Sequence, residues 1–208
     1  MNIHSVPVVA SPMTTRVLDA ALAVFTERTY GGAAVPQVAE RAGIGVGTIY
    51  RSFAGKEELA NGVYRRAKQG MLDHLVAALS VLPPDATSRE RVSAVWSGLA
   101  AYAVADPDGF AFLEHQQHAS YLDGESVALG RRIDAFAEDL VRDGQRAGDL
   151  RDGDPAMLVA LVFGAFVGLS KQRRSVGLPL TSSDVEAAGD AVWHLVARPL
   201  TPTSKDLS

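Results

Sequence analysis

The stretch "AGIGVGTIYRSFAGKEEL", Ala42 to Leu59, holds four glycines, a tyrosine and two cations in eighteen positions. Two kinds of chemistry use such residues. A glycine-rich loop can wrap a nucleotide phosphate with its backbone N–H groups, and a turn between two short helices can set a helix on DNA. The dinucleotide loop needs a preceding strand, and Gly or Ala at its third fingerprint position. Counting from Gly43 and Gly45, that position is Thr48, and a helical pattern precedes it. The P-loop needs Ser or Thr after Gly-Lys, and Gly55-Lys56 is followed by Glu57. Both phosphate-loop readings fail.

A helix-turn-helix fits, and so does an ordinary helical hairpin whose glycines only make turns. The first helix ends at Gly43, a residue free to take the left-handed conformation that reverses a chain. The second, about 46–53, begins within three residues, the tight spacing of this motif. With Ile49 and Phe53 inward, Gly47, Thr48 and Arg51 project toward a major groove.

The elements that must position this turn read as helices throughout. Leu18, Ala21, Leu22 and Phe25 mark one helical face over 15–28, and Val35, Val38, Ala39 and Ala42 mark the next. A long helix over 56–82 stops at Pro83-Pro84, and further helices are expected near 88–105, 107–120, 124–147, 154–174 and 183–197. No stretch sustains period-2 alternation. The expectation is an all-α fold of about nine helices. It divides into an arm (1–14), a three-helix DNA-binding head (15–55), a helical ligand-binding and dimerisation body (56–198) and a loose tail (199–208).

Composition narrows the function. Apolar residues are 47% of the 208, enough for a sizeable core. There is no cysteine, which excludes disulfides and thiolate chemistry and fits a reducing cytoplasm, the expected location. The N-terminal stretch does not read as a signal peptide. The most apolar run, 157–169, falls short of the roughly 20 residues that span a bilayer, so no membrane association is expected. Residues 1–68 hold eight Lys or Arg against five acids, and the remainder twelve against nineteen. A basic head on an acidic body suits contact with a polyanion at one end.

Catalytic constellations are thin. Only His115 and His118 lie close, at i and i+3, beside Glu114 and a turn before Tyr121. They read as half a metal site short of a third ligand, as the polar lining of a pocket, or as an ordinary histidine pair. With no recognisable nucleophile or acid–base motif, no enzyme activity, metal or cofactor is expected. The aromatic-rich helix makes Phe110, Phe112, His115, Gln116, His118 and Tyr121 the candidate lining for a mostly apolar small molecule.

The run "VAERAGIGVGTIYRSFAGKEEL", after "RVLDAALAVFTERTY", resembles the tetracycline-repressor (TetR) family of bacterial transcriptional regulators over roughly residues 15–65. The resemblance implies an all-helical homodimer, with three N-terminal helices on operator DNA and a C-terminal body that binds a small-molecule effector. On that basis Val46, Gly47, Thr48, Tyr50, Arg51, Ser52 and Lys56 are the candidate DNA-binding residues, with Tyr50 and Lys56 on phosphate. It also implies that the last two long helices form the subunit interface, for which Leu161, Gly164, Ala165, Gly168 and Val192 are the candidates. The implied function is a repressor released from a near-palindromic operator by an apolar effector. The alternatives are a helical small-molecule-binding protein with a structural hairpin, or a metal-dependent helical enzyme. Four positions depart from the family pattern. Gly45 stands in place of a capping serine, Ala34 of a threonine, Ser52 of a histidine or tyrosine, and Thr29 of a glycine that ends the first helix.

Overall fold

The computed structural model describes residues 11–115 and 118–199. Most of the expected arm (1–10) and tail (200–208), and Gln116, lie outside the described residues. The described residues form nine α-helices and one short 3₁₀ helix. These are α1 (Pro12–Gly32), α2 (Val35–Ala42), α3 (Val46–Tyr50), α4 (Lys56–Ser80), α5 (Ser88–Ala105), α6 (Pro107–His115), η1 (His118–Ser120), α7 (Gly124–Ala147), α8 (Pro155–Ser175) and α9 (Ser182–Val196). The fold is all-α, and a lone antiparallel bridge joins Leu150 to Ala197.

Among the boundaries that differ from the periodicity, two have a clear local cause. Helix α1 starts at Pro12, where Ser11 accepts the Thr14 N–H at 3.1 Å and proline suits the first helical position. Helix α3 ends at Tyr50, although Phe53 continues its apolar spacing. The Ser52 and Phe53 N–H groups both return to the Ile49 carbonyl at 2.9 Å, so the chain turns while Phe53 stays inward.

The chain forms two compact units, one of residues up to Lys68 with Asp108–Val127, the other of Gln69–Pro107 with the residues from Ala128 on. The head unit is therefore larger than three helices. Its core joins Val17, Leu22 and Phe25 of α1, Val38 of α2, Ile49 of α3, and Leu59 and Val63 of α4 to Phe112 and Tyr121. Buried Asn61 binds α4 to the start of α7. Its amide donates to the Tyr121 carbonyl at 2.8 Å and to the Glu57 carbonyl at 3.0 Å, and its own oxygen accepts the Asp123 N–H at 2.9 Å. Arg65 adds a 2.8 Å ion pair to Asp123.

In the other unit α5 packs with α8 and α9. Buried Trp96 meets Phe166 edge-on at 5.1 Å and donates its indole N–H to the Val185 carbonyl at 2.7 Å. Gly189 lets α9 approach, since a Cβ there would lie 3.1 Å from the Trp96 ring.

Thr29 breaks α1 at φ 60°, ψ 166°, a conformation almost confined to glycine and costing on the order of 1–3 kcal/mol otherwise. Its side chain is exposed, so little packing offsets that cost. Thr29→Gly is expected to stabilise the protein by about 1 kcal/mol after allowing for the greater backbone freedom of glycine when unfolded. A urea midpoint that stays put or falls contradicts the strain.

Candidate nucleic-acid interface

The turn between α2 and α3 is built by Gly43, at φ 62° and ψ 39°. Its N–H returns to the Glu40 carbonyl at 3.0 Å, and the next N–H, from Ile44, returns to Ala39 at 3.0 Å. A Cβ at Gly43 would sit 2.8 Å from an Arg16 guanidinium nitrogen. The backbone angle favours glycine here, while the Arg16 side chain can swing away from an added Cβ. Both helix starts lack side-chain caps. Ala34 offers no acceptor to α2, whose Gln37 reaches back to the Ala34 N–H at 3.0 Å, and Gly45 offers none to α3.

On α3, Ile49 is fully buried and Val46 half-buried against the head core. Gly47, Tyr50 and Arg51 are exposed, as is Ser52 just beyond, and Thr48 is half-buried. No atom lies within 4 Å of where a Gly47 Cβ would stand. Arg51 folds back along the helix, 3.4 Å from both the Gly47 carbonyl and the Thr48 hydroxyl. The seven expected DNA-binding residues thus share one short segment, with Val46 turned most toward the core.

Lys56 has an inward role that its sequence context did not suggest. Its ammonium donates to the carbonyls of Tyr30 at 3.0 Å and Ala33 at 3.1 Å, and lies 4.5 Å from the Tyr30 ring centre. At the same helix start, Glu58 accepts the Ala54 N–H.

Charge sorts into two sets. Arg41 pairs with Glu27, Arg66 with Asp19, and Arg65 with Asp123 and Glu125. Among the described residues, Arg16, Arg28, Arg51 and Lys56 of the head have no carboxylate partner. Arg16, which the sequence reading did not single out, reaches the Gly43 carbonyl at 3.4 Å. That contact spans 27 residues and leaves no local pattern to detect.

The expected pocket residues are placed differently. Phe110, Phe112 and Tyr121 are almost wholly buried, and His115 ends α6. Phe112 packs 6.2 Å from Phe25, Tyr121 4.2 Å from Tyr30, and His118 5.0 Å from both Tyr64 and Phe112. Phe112, His118 and Tyr121 therefore fill the head core where an open lining was expected, because α6 and η1 fold onto α1 and α4. No group of three or more His, Asp or Glu among the described residues could hold a metal.

The expected subunit-facing residues also need one correction. Leu161 is 41% exposed, a Cβ at Gly164 or Gly168 would meet nothing within 4 Å, and Ala165 is half-exposed. Val192 is only 4% exposed and belongs to the core of its own chain, since α9 turns that face toward its neighbours.

The His118 tautomer follows from its partners. A carbonyl can only accept, so Nε2–H donates to Leu113 (3.2 Å), and Nδ1 accepts from the Tyr121 hydroxyl (2.5 Å). Burial lowers the His118 pKa, aided by the nearby Lys68 charge and opposed by the Leu113 carbonyl, and burial raises that of Tyr121. Below the ordinary histidine value of 6.5 the unfolded chain then binds the proton more readily than the folded one. Stability is expected to fall as pH drops below 6.5, and His118→Gln should flatten that fall. Parallel urea titrations of parent and variant check it, and identical slopes against pH refute it.

The comparisons agree with this geometry. A family profile described as "Bacterial regulatory proteins, tetR family" matches residues 17–63. A second, "Tetracyclin repressor-like, C-terminal domain", matches 72–198. No curated protein matches the chain. Similar solved structures include a TetR family transcription regulator from Marinobacter aquaeolei VT8 (TM-score 0.79, 19% identity, covering 90% of this chain and 96% of that one). Another is the fatty acid degradation regulator FadR from Bacillus halodurans (TM-score 0.71, 19% identity, 89% and 95%). A third is the TetR family regulator PfmR from Thermus thermophilus (TM-score 0.70, 23% identity, 90% and 97%). With both profiles matching in chain order, the second over more than half of the chain, the chain belongs to the tetracycline-repressor family of DNA-binding transcriptional regulators.

Proposed function

We propose that the protein is a cytoplasmic, homodimeric repressor that leaves a near-palindromic operator when a small, mostly apolar effector binds. The observation that carries the DNA reading is the division of α3, with Ile49 fully buried while Gly47, Tyr50 and Arg51 face outward. In this reading Thr48 and Arg51 touch base edges, Val46 and Gly47 bring the backbone close, and Tyr50, Ser52 and Lys56 hold phosphates. Lys56 has a third ammonium proton beyond the two its carbonyl partners take. Two such helices reading successive major grooves stand about 34–36 Å apart, which makes the site a near-palindrome.

Helix α8 supports the dimer. It is 21 residues long with a mean hydropathy of 1.5 over its most apolar window, enough by length and composition to cross a membrane, yet only 17% of that window is buried. We assign the cover to a second copy of the chain, seated on Met157, Leu161, Gly164, Ala165 and Gly168, where glycine lets helices approach closely. For the effector, Phe110, Phe112, His115, Gln116, His118 and Tyr121 are our proposed point of action. A ligand acts there by rearranging packing. Fatty acids are the first class to try, in keeping with the name of the Bacillus halodurans neighbour, a fatty acid degradation regulator.

Two tests follow. Against the DNA preceding its own gene, Thr48→Ala or Arg51→Ala should cost roughly 1–3 kcal/mol of preference over random DNA. Retention of the parental preference in both variants, by competition fluorescence anisotropy, sinks the base-contact assignment. Gly168→Trp should lower dimer content in sedimentation and operator affinity together. A chain that is monomeric in sedimentation yet binds the operator tightly refutes the dimer.

A further inference from the structure

The Lys56 ammonium is held at an unusual address for a DNA-facing cation. Two of its three protons go to the carbonyls of Tyr30 and Ala33, and the face of the Tyr30 ring lies 4.5 Å away. Its position is therefore set by Tyr30 and the turn that follows, more than by its own flexible stem. Tyr30 in turn follows the strained Thr29, and its ring stacks on that of Tyr121 at 4.2 Å with a 30° tilt. Tyr121 is 3% exposed and fixed at both ends, its hydroxyl on His118 and its carbonyl on Asn61. Any shift of the His118–Asp123 segment carries the Tyr121 ring, and the half-buried Tyr30 is the surface it presses on.

We propose that Tyr121 and Tyr30 are positioning residues for the DNA contact of Lys56, so that the η1 segment sets the strength of a phosphate contact it never touches. The proposal rests on the reading that Lys56 holds a backbone phosphate. A ring removed at either tyrosine leaves the ammonium its full charge and its two carbonyl partners, but frees the turn that holds those carbonyls in place. Affinity is then lost through Lys56 and through no other group.

The test uses the full chain and random-sequence duplex DNA, titrated by fluorescence anisotropy over a salt series. Lys56→Gln is expected to weaken binding by about tenfold at low salt and to lower the salt slope by about one per subunit. Tyr121→Leu and Tyr30→Leu are expected to weaken binding several-fold and to flatten the slope in the same sense. Adding either to Lys56→Gln should change nothing further, and Tyr121→Phe, which keeps the ring, should bind like the parent. Circular dichroism reports folding, and the less buried Tyr30→Leu carries the test if Tyr121→Leu fails to fold. Losses from the tyrosine variants that persist undiminished beside Lys56→Gln would mean a merely structural role and overturn the proposal alone. Parental affinity in both leucine variants overturns it as well. If Lys56→Gln itself leaves affinity and slope unchanged, the phosphate reading falls and the proposal falls with it.

Discussion

Asn61 is the constraint around which the head is organised. A buried side-chain amide left without partners costs on the order of 1–3 kcal/mol per unmet group, so its surroundings must supply both donors and acceptors. They do so from two places far apart in sequence, the preceding turn of α4 and the backbone between η1 and α7. An apolar residue there would permit the two segments to slide. An amide permits one register, in which Tyr121 meets Tyr30 and Asp123 meets Arg65. Desolvation acts to raise the Asp123 pKa, but hydrogen bonds from Ser126 and Arg65 outweigh it and hold that carboxyl below its ordinary value, so the ion pair reinforces the same register.

This arrangement explains why the DNA-binding unit is larger than the helix-turn-helix. Helix α4 starts at Lys56, in the head, and runs unbroken to Ser80, while α7 starts inside the head unit and continues far beyond it. Within the head, the Asn61 clamp ties the first turns of α4 to the residues that lead into α7. The chemistry at the surface is simple by contrast. A few cations lack a carboxylate partner, and one short helix keeps its apolar side inward.

What the sequence makes legible is what short-range spacing encodes. Val35, Val38, Ala39 and Ala42 fall on one helical face, Gly43 follows, and Ile49 lies inward on the next helix; the structure places each as that pattern requires. Long-range contacts leave no such trace. Phe112 and Tyr121 are aromatic residues on a short helix and its extension, and the same pattern serves a ligand or a core equally well. Only the fold-back onto Phe25 and Tyr30 decides between them. Lys56 at a helix start reads as an anion contact, and nothing near it announces that two carbonyls 23 and 26 residues earlier hold its protons. Val192 departs from expectation for a related reason. An apolar helix shows that it has a face to bury, but the side on which a neighbour waits is a property of the packing.

Gly47 has a consequence of its own. It sits on the exposed face of α3 in open space, so a side chain added there meets no neighbour and raises helix propensity. Most surfaces that read DNA face a conflict in evolution, because residues that choose bases also support the fold. Here that conflict is absent. The position can be filled, enlarged or charged by single steps without eroding the core beneath, so on the proposed DNA reading a lineage could acquire a new set of target sites through changes that selection for folding would not see.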